Sequence, residues 1–446
     1  AYLQALKTEG KSIAMSHPKD FRSYSKNGEE LLSILLANLY GHPLAAAAWQ
    51  KTLYDWILKR FNQDGWKAKI SHVDRGIILL TSPPKDSSPN DPVIGENNGS
   101  NPIIMIVHSD DVDCYSEFES ERSFLAKEFD DRFGIVMGDS RYMLGVLREV
   151  TDLPGGHRML KLSMPEYIDE LAESFEEYLP KQAPSAPWKP KTLLGIKQND
   201  YDPSEAEQKK YYDLGYMKLV GSLLWIARMS YDELAFGISQ LCSVMSKPSE
   251  IAWTAALNML KWLVENKHCG ACYRTDFSET IDGVTFSAND LYCYVDSGHG
   301  QFDDGKAQHG HVMMFGGGTV KSVSKKHDVV TAATQYSEYI GQFHAVQNCI
   351  AARNLFEELG EIGEKYIQSC TYVLGDNAAA LGVGMLKKAP GHFELKYHYQ
   401  REMVEQKKIK FIKVGTLENT ADLMTKAVEI VVFKRLYPKL KGIAAL

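Results

Sequence analysis

The last third of the chain most narrows what it can fold into. From Leu291 onward, "LYCYVDSG" and "HGHVMMFGGGTVKSVS" alternate and break at glycines, as consecutive antiparallel strands do. "YSEYIGQFHAVQNCIAARNLFEELG" then reads as a helix ended by Gly360. "CTYVLGDNAAALGVGML" is a strand running into a helix, "KIKFIKV" is another strand, and "NTADLMTKAV" begins a last helix. Three strands, helix, strand, helix, strand, helix gives a mixed five-stranded sheet with helices on both faces, an α/β (α+β) arrangement.

Four acids fall at telling places in that order. Asp296 lies in the first strand, Glu338 near the start of the long helix, Asp376 at the end of the fourth strand and Asp422 near the start of the last helix. Each is flanked by apolar residues and would be a costly half-buried charge on its own. Divalent cations remove that cost, because magnesium prefers hard oxygen ligands. Two such ions about 4 Å apart activate water and stabilise the leaving 3′-oxygen in phosphodiester cleavage. Taken singly, Asp376 also reads as a helix cap, Asp422 as a first-turn dipole partner and Glu338 as surface. Their joint placement is the stronger signal.

The earlier chain reads as further modules. "LAAAAWQKTLYDWILKRF" spaces Trp49, Leu53, Trp56, Ile57 and Phe61 as an amphipathic helix, and Gly76–Thr81 and Ile103–Val107 are short β-branched strands. "PEYIDELAESFEEYL" opens a helix with Pro165. Thr81–Asn101 has a loop's composition and 181–205 a linker's. Residues 206–285 are mostly helical. Expected boundaries are 1–180, a linker 181–205, then 206–285 and 286–446.

Length 446 and 44% hydrophobic content allow several cores, and no apolar run reaches a membrane span. No basic-then-apolar leader comes after Ala1, so no signal peptide is expected, and the missing initiator Met suggests a piece of something longer. Seven cysteines, an odd number, fit a reducing compartment, and the lone Cys269/Cys272 pair fits a strand better than a zinc site. The net charge of −7 excludes a uniformly basic coat but not a local one. From Lys387 to Lys413, basic residues including Lys387, Lys388, Lys407, Lys408 and Lys410 interleave with aromatics, which suits phosphate contact or equally a solvated face.

Several stretches resemble the reverse transcriptase and RNase H part of a copia-type long-terminal-repeat retrotransposon Pol polyprotein. "LVGSLLWIARMSYDELAFGISQLCSVMSKPSEIAW" resembles that family's "LVGSLLYLA…RPDIAFAVSQLSRFMS", "MFGGGTVKSVSKK" its "LGGGAVSWKSKK", "FELKYHYQREMV" its "HIDIRYHFIRE.V" and "TADLMTKAV" its "ADILTKPL". The likeness runs from Ala1 to about Pro438. It implies an RNase H-like domain over 286–446, with Asp296, Glu338, Asp376 and Asp422 as its metal-binding acids. A histidine found in many relatives shortly before the last acid is missing between Lys410 and Thr420.

It further implies a partial polymerase palm over 1–180 and a helical thumb- or connection-like region over 206–285. "HSDD" stands where the family has "YVDD", making Asp110 and Asp111 metal ligands, with Asp110 the better choice for both ions. A plain hairpin is the bland reading of that pair. Tyr2 resembles the steric gate against a 2′-hydroxyl, and the palm's third carboxylate would fall before Ala1. The implied cofactors are two magnesium ions per site, with manganese as an alternative. The implied partners are an RNA–DNA hybrid, template RNA and primer, no membrane, and a second copy or other Pol and Gag products. The setting would be a cytoplasmic virus-like particle or the nucleus. An RNA-directed DNA polymerase and endonuclease lineage is one outcome; a decayed or co-opted copy that only binds nucleic acid or serves structurally is the other.

Overall fold

The computed structural model describes residues 45–83, 102–190, 192–195, 201–385 and 394–443, with a few isolated positions nearer the start. The chain forms two compact units, residues 1–138 with 357–363 and residues 139–356 with 364–446. Among the described residues no helix is long and apolar enough to cross a membrane.

In the first unit, α1 (Ala45–Arg60) and α2 (Glu119–Phe133) pack on a sheet of β1 (Lys67–Ile70), β2 (Ile77–Thr81), β3 (Ile103–His108) and β4 (Asp111–Tyr115). The strands are antiparallel and pair in sequence order. Alternation along β3 turns Ile103, Met105 and Val107 inward, onto Leu53 and Ile57 of α1 and Leu125 and Phe129 of α2. Trp56 meets Phe129 edge-on at 4.9 Å. The helix and both strands expected here are present.

The second unit contains β5 (Val146–Leu153) and β6 (His157–Ser163), followed by α3 (Pro165–Ser174), α4 (Glu205–Asp213), α5 (Tyr216–Met229), α6 (Ala235–Ser243), α7 (Glu250–Asn266) and β7 (Ala271–Arg274). Pro165 opens α3 as its fixed φ favours. Ser204 and Ser249 cap α4 and α7 by accepting from Glu207 N and Ala252 N, each at 3.2 Å. β7 pairs antiparallel with β6, Ala271 opposite Leu162, which holds the stretch from Asp139 in the second unit. The division therefore falls at Gly138 rather than near 180. Described residues of the segment expected as a linker are packed instead: Ala186, Trp188, Leu194 and Tyr201 are buried in the second unit's core. Trp188 Nε1 donates to the Thr192 carbonyl at 3.0 Å, and the Tyr201 hydroxyl to that of Lys247 at 2.8 Å.

The five-stranded sheet comprises β8 (Tyr292–Ser297), β9 (Gln308–Phe315), β10 (Gly318–Lys326), β11 (Thr371–Gly375) and β12 (Ile409–Lys413), in the order β10-β9-β8-β11-β12. β8, β9 and β10 are antiparallel; β11 runs parallel to β8 and β12 parallel to β11. This is the RNase H-like order. Along β8 the side chains alternate between two cores. Cys293 and Val295 pack with Ala345, Val346 and Cys349 of α8 (Thr334–Glu358). Tyr292 and Tyr294 face a larger core that includes α5, α6 and α7.

After β11 come α9 (Ala378–Met385) and α10 (Tyr399–Glu405), and after β12 come α11 (Asp422–Thr425) and α12 (Ile430–Lys441). The single last helix expected from "NTADLMTKAV" is thus two helices. α11 stops after one turn because Lys426 turns extended, φ −137° and ψ 147°. α11 lies close on β9 at Gly310, where a Cβ would stand 2.3 Å from the Met424 Cβ.

Candidate active site

β8 and β11 are parallel neighbours whose chains leave toward opposite edges of the sheet, so a crevice opens at their carboxyl ends. Their register runs from Tyr292 opposite Tyr372 to Tyr294 opposite Leu374. Carried two residues further, it sets Asp296 level with Asp376. Glu338 comes from the second turn of α8 and Asp422 opens α11. One carboxylate oxygen from each of Asp296, Glu338 and Asp376 lies within 4.8 Å of the others. Among the described residues no other trio of His, Cys, Asp or Glu converges in this way.

Asp422 joins from the side, through a residue the motifs did not single out. Lys426 Nζ stands 3.1 Å from Asp296 Oδ2 and 2.8 Å from Asp422 Oδ1, bridging the two carboxylates. The buried Thr425 hydroxyl donates to the same Asp296 Oδ2. The one signal in the sequence is the Asp422–Lys426 spacing of four within "DLMTK", an ordinary helical ion pair whose second partner only the fold supplies.

Asp296, Glu338 and Asp422 are 2%, 5% and 8% exposed, so their charges meet little screening. Burial, then the negative charges of Asp296 and Asp376, push the Glu338 carboxyl up to about 9. Burial and Asp296 also raise Asp422, against the pull of Lys426. Burial opposes the Lys426 charge, but Asp296 and Asp422 outweigh it and hold its pKa above the usual lysine value. Three converging carboxylates, one pushed toward its protonated form by burial and by its neighbours, are a donor set short of positive charge. Their hard oxygens fit a divalent cation of the magnesium or manganese kind.

Lys407, Lys408 and Lys410 lie away from this cluster, and Asp110 and Asp111 belong to the first unit. Asp110 and Asp111 are exposed at the β3–β4 hairpin, where His108 pairs with Asp111 across the turn and Ser109 takes φ 56°. Trp49 Nε1 fixes the turn by donating to the Ser109 carbonyl at 2.8 Å. Among the described residues they join no third carboxylate. Tyr2, Lys387 and Lys388 lie outside the described residues. Lys407, Lys408 and Lys410 are exposed, but at the start of β12. Because Ile409 pairs with Thr371 in parallel register, these lysines sit at the opposite end of the sheet from Asp376, roughly 16 Å along the strands. Lys413, paired with Gly375, is the basic residue of β12 at the acidic end.

No protein-family model matches the chain. Its curated homologues are copia-type Pol polyproteins of plant transposons. It is 26% identical over 342 residues to the retrovirus-related Pol polyprotein from transposon TNT 1-94 of Nicotiana tabacum, covering 74% of this chain and 24% of that protein. It is 24% identical over 444 residues to the corresponding polyprotein from transposon RE2 of Arabidopsis thaliana, covering 99% of this chain and 27% of that one. The chain thus spans about a quarter of the length of the relatives it matches. Among solved structures, an RNase H domain from Mycobacterium tuberculosis, determined as a fusion with maltose-binding protein, is similar over 33% of this chain and 96% of its own. Its identity is 17% and its TM-score 0.23. An RNase H1 in complex with an RNA/DNA hybrid is similar over 30% of this chain and 93% of its own, at 17% identity and TM-score 0.22.

Proposed function

We propose that this chain is part of a retrotransposon Pol product whose second unit cleaves the RNA strand of RNA–DNA hybrids as a metal-dependent ribonuclease H. The observation that carries the reading is the meeting of Asp296, Glu338 and Asp376 within 4.8 Å at the carboxyl ends of β8 and β11. Asp296, Glu338 and Asp376 would hold one magnesium ion, and Asp296 with Asp422 a second. Such ions, when bound, supply an activated water and stabilise the leaving 3′-oxygen. The protein's part is positional. Parallel register fixes Asp296 beside Asp376, Thr425 orients the Asp296 carboxylate, and Glu338 must give up its proton before it can bind a cation.

The test is a gel assay on a hybrid labelled in its RNA strand, with magnesium, comparing the chain with Asp376→Asn. Cleavage by the parent and none by the variant is the expected result. Equal cleavage by both rejects the assignment. Retention of the hybrid without cleavage by either supports the co-opted, binding-only alternative.

Lys407, Lys408 and Lys410 would meet the hybrid backbone away from the cut, given their place at the far end of the sheet. Neutralising all three should weaken hybrid binding and reduce the steepness of its salt dependence by up to about three phosphate contacts' worth. The cleavage rate at saturating hybrid should stay near the parent's. An unchanged salt slope removes these residues from the interface.

For the first unit, the same lineage implies a reverse transcriptase palm, with Asp110 and Asp111 offered to metal at the exposed β3–β4 turn. What supports it is the resemblance of "HSDD" and a likeness to the RE2 polyprotein covering 99% of this chain.

A further inference from the structure

The acidic cluster is lopsided. On one side Asp296, Glu338 and Asp376 converge, and among the described residues neither Glu338 nor Asp376 makes an ion pair. On the other side the gap between Asp296 and Asp422 already holds a cation, the Lys426 ammonium, at 3.1 and 2.8 Å. A point charge between two carboxylates satisfies the same need that a bridging divalent ion would.

We infer that Lys426 is an internal counter-ion that holds the Asp296–Asp422 position in the metal-free protein and must leave before a second divalent ion can bind there. The inference rests on the reading of Asp296, Glu338, Asp376 and Asp422 as metal ligands. Three features make the lysine displaceable rather than merely structural. Its side chain is 39% exposed, whereas that of Asp296 is 2% exposed. It lies just past the end of α11 in extended backbone, so its side chain can swing without disturbing a further turn of helix. Asp296 Oδ2 keeps the Thr425 hydroxyl when the ammonium swings out, so the carboxylate stays aimed.

The consequence is ordered loading. The first ion enters among Asp296, Glu338 and Asp376 against only the Glu338 proton, while the second competes with a tethered cation. Whatever lowers the local hold on Lys426, such as a substrate phosphate drawing the ammonium outward, would favour the second ion and couple full metal loading to hybrid binding.

Manganese titration of the full chain by calorimetry, without hybrid, tests this on the parent, Lys426→Met, Lys426→Arg and Asp376→Asn. The parent should bind one ion well and a second weakly. Lys426→Met should tighten the second by roughly tenfold with little change in the first. Lys426→Arg, which keeps a cation with a firmer two-pronged grip, should loosen it. Asp376→Asn should lose the first. A gain of affinity is not what structural damage produces, and the Arg variant serves should the Met variant fold poorly. A second-ion affinity unchanged in the Met and Arg variants overturns the role of Lys426 while leaving the metal site standing. No manganese binding by the parent overturns both.

Discussion

Glu338→Gln is expected to lose hybrid cleavage, by on the order of a thousandfold or more, while making the metal-free protein more stable. The two effects share one cause. Burial together with Asp296 and Asp376 raises the Glu338 carboxyl from 4.5 to about 9. At pH 7 the folded protein therefore holds a proton that the unfolded chain does not. Between about 4.5 and about 9 the native state binds more protons, so its stability falls as pH rises through that window. Glutamine has the shape of the protonated acid without its titration. It should flatten this pH dependence and add up to roughly 3 kcal/mol near pH 7 in EDTA. Melting curves from pH 5 to 9, with EDTA and with manganese, read the effect. The parent's melting temperature should fall with pH in EDTA and much less so with metal, and the variant's should fall less steeply in EDTA and gain less from metal. A variant no more stable than the parent in EDTA at pH 8 contradicts the crowding of charge deduced at this site. Activity and stability would thus pull in opposite directions at one residue, as is common where a site stores uncompensated charge.

Much of this site was legible in the sequence because strands encode it locally. The alternation in "LYCYVDSG" and the apolar run before Asp376 fix where both strands end, and the parallel sheet converts two strand ends into one crevice. Glu338 was legible only from its place near the start of the long helix and from the family resemblance. Lys426 was not, since its second partner lies 130 residues away and no periodicity links them. Where Lys407, Lys408 and Lys410 stand relative to the acids was not legible either. Neighbours in sequence along β12 are separated along the sheet, and a parallel strand carries its first lysines away from the acids rather than toward them. The segment 181–205 failed for a different reason. Proline and serine content speaks for irregular backbone, but irregular backbone can still pack, and Trp188, Leu194 and Tyr201 bury themselves whatever the φ/ψ around them. The boundary near 180 moved to Gly138 because β6 pairs with β7 across more than 100 intervening residues, which holds both strands in one unit.

Lys441→Met is expected to destabilise the second unit by about 3–5 kcal/mol, because it breaks a buried ion pair from one side only. Lys441 has no solvent exposure, although lysine is among the residues least often fully buried. Its Nζ stands 2.7 Å from Glu233 Oε2 and donates to the Ser230 carbonyl at 2.8 Å. It also lies 4.5 Å from the centre of the Tyr231 ring. These contacts tie the end of α12 to the turn between α5 and α6, in a region whose sequence speaks for packing without chemistry. Burial pushes the Glu233 carboxyl up to about 7 even with Lys441 beside it, so the pair is expensive to bury. Removing one partner leaves the other as an unpaired buried carboxyl, which is the costly case. Removing both is not: Lys441→Met with Glu233→Met removes the pair together and should recover most of the loss. Denaturant unfolding of the parent, both single variants and the double variant measures the coupling directly. Additive losses in the double variant would mean that the two side chains act separately and that the attachment of α12 rests on Phe433, Leu436 and Leu440 alone.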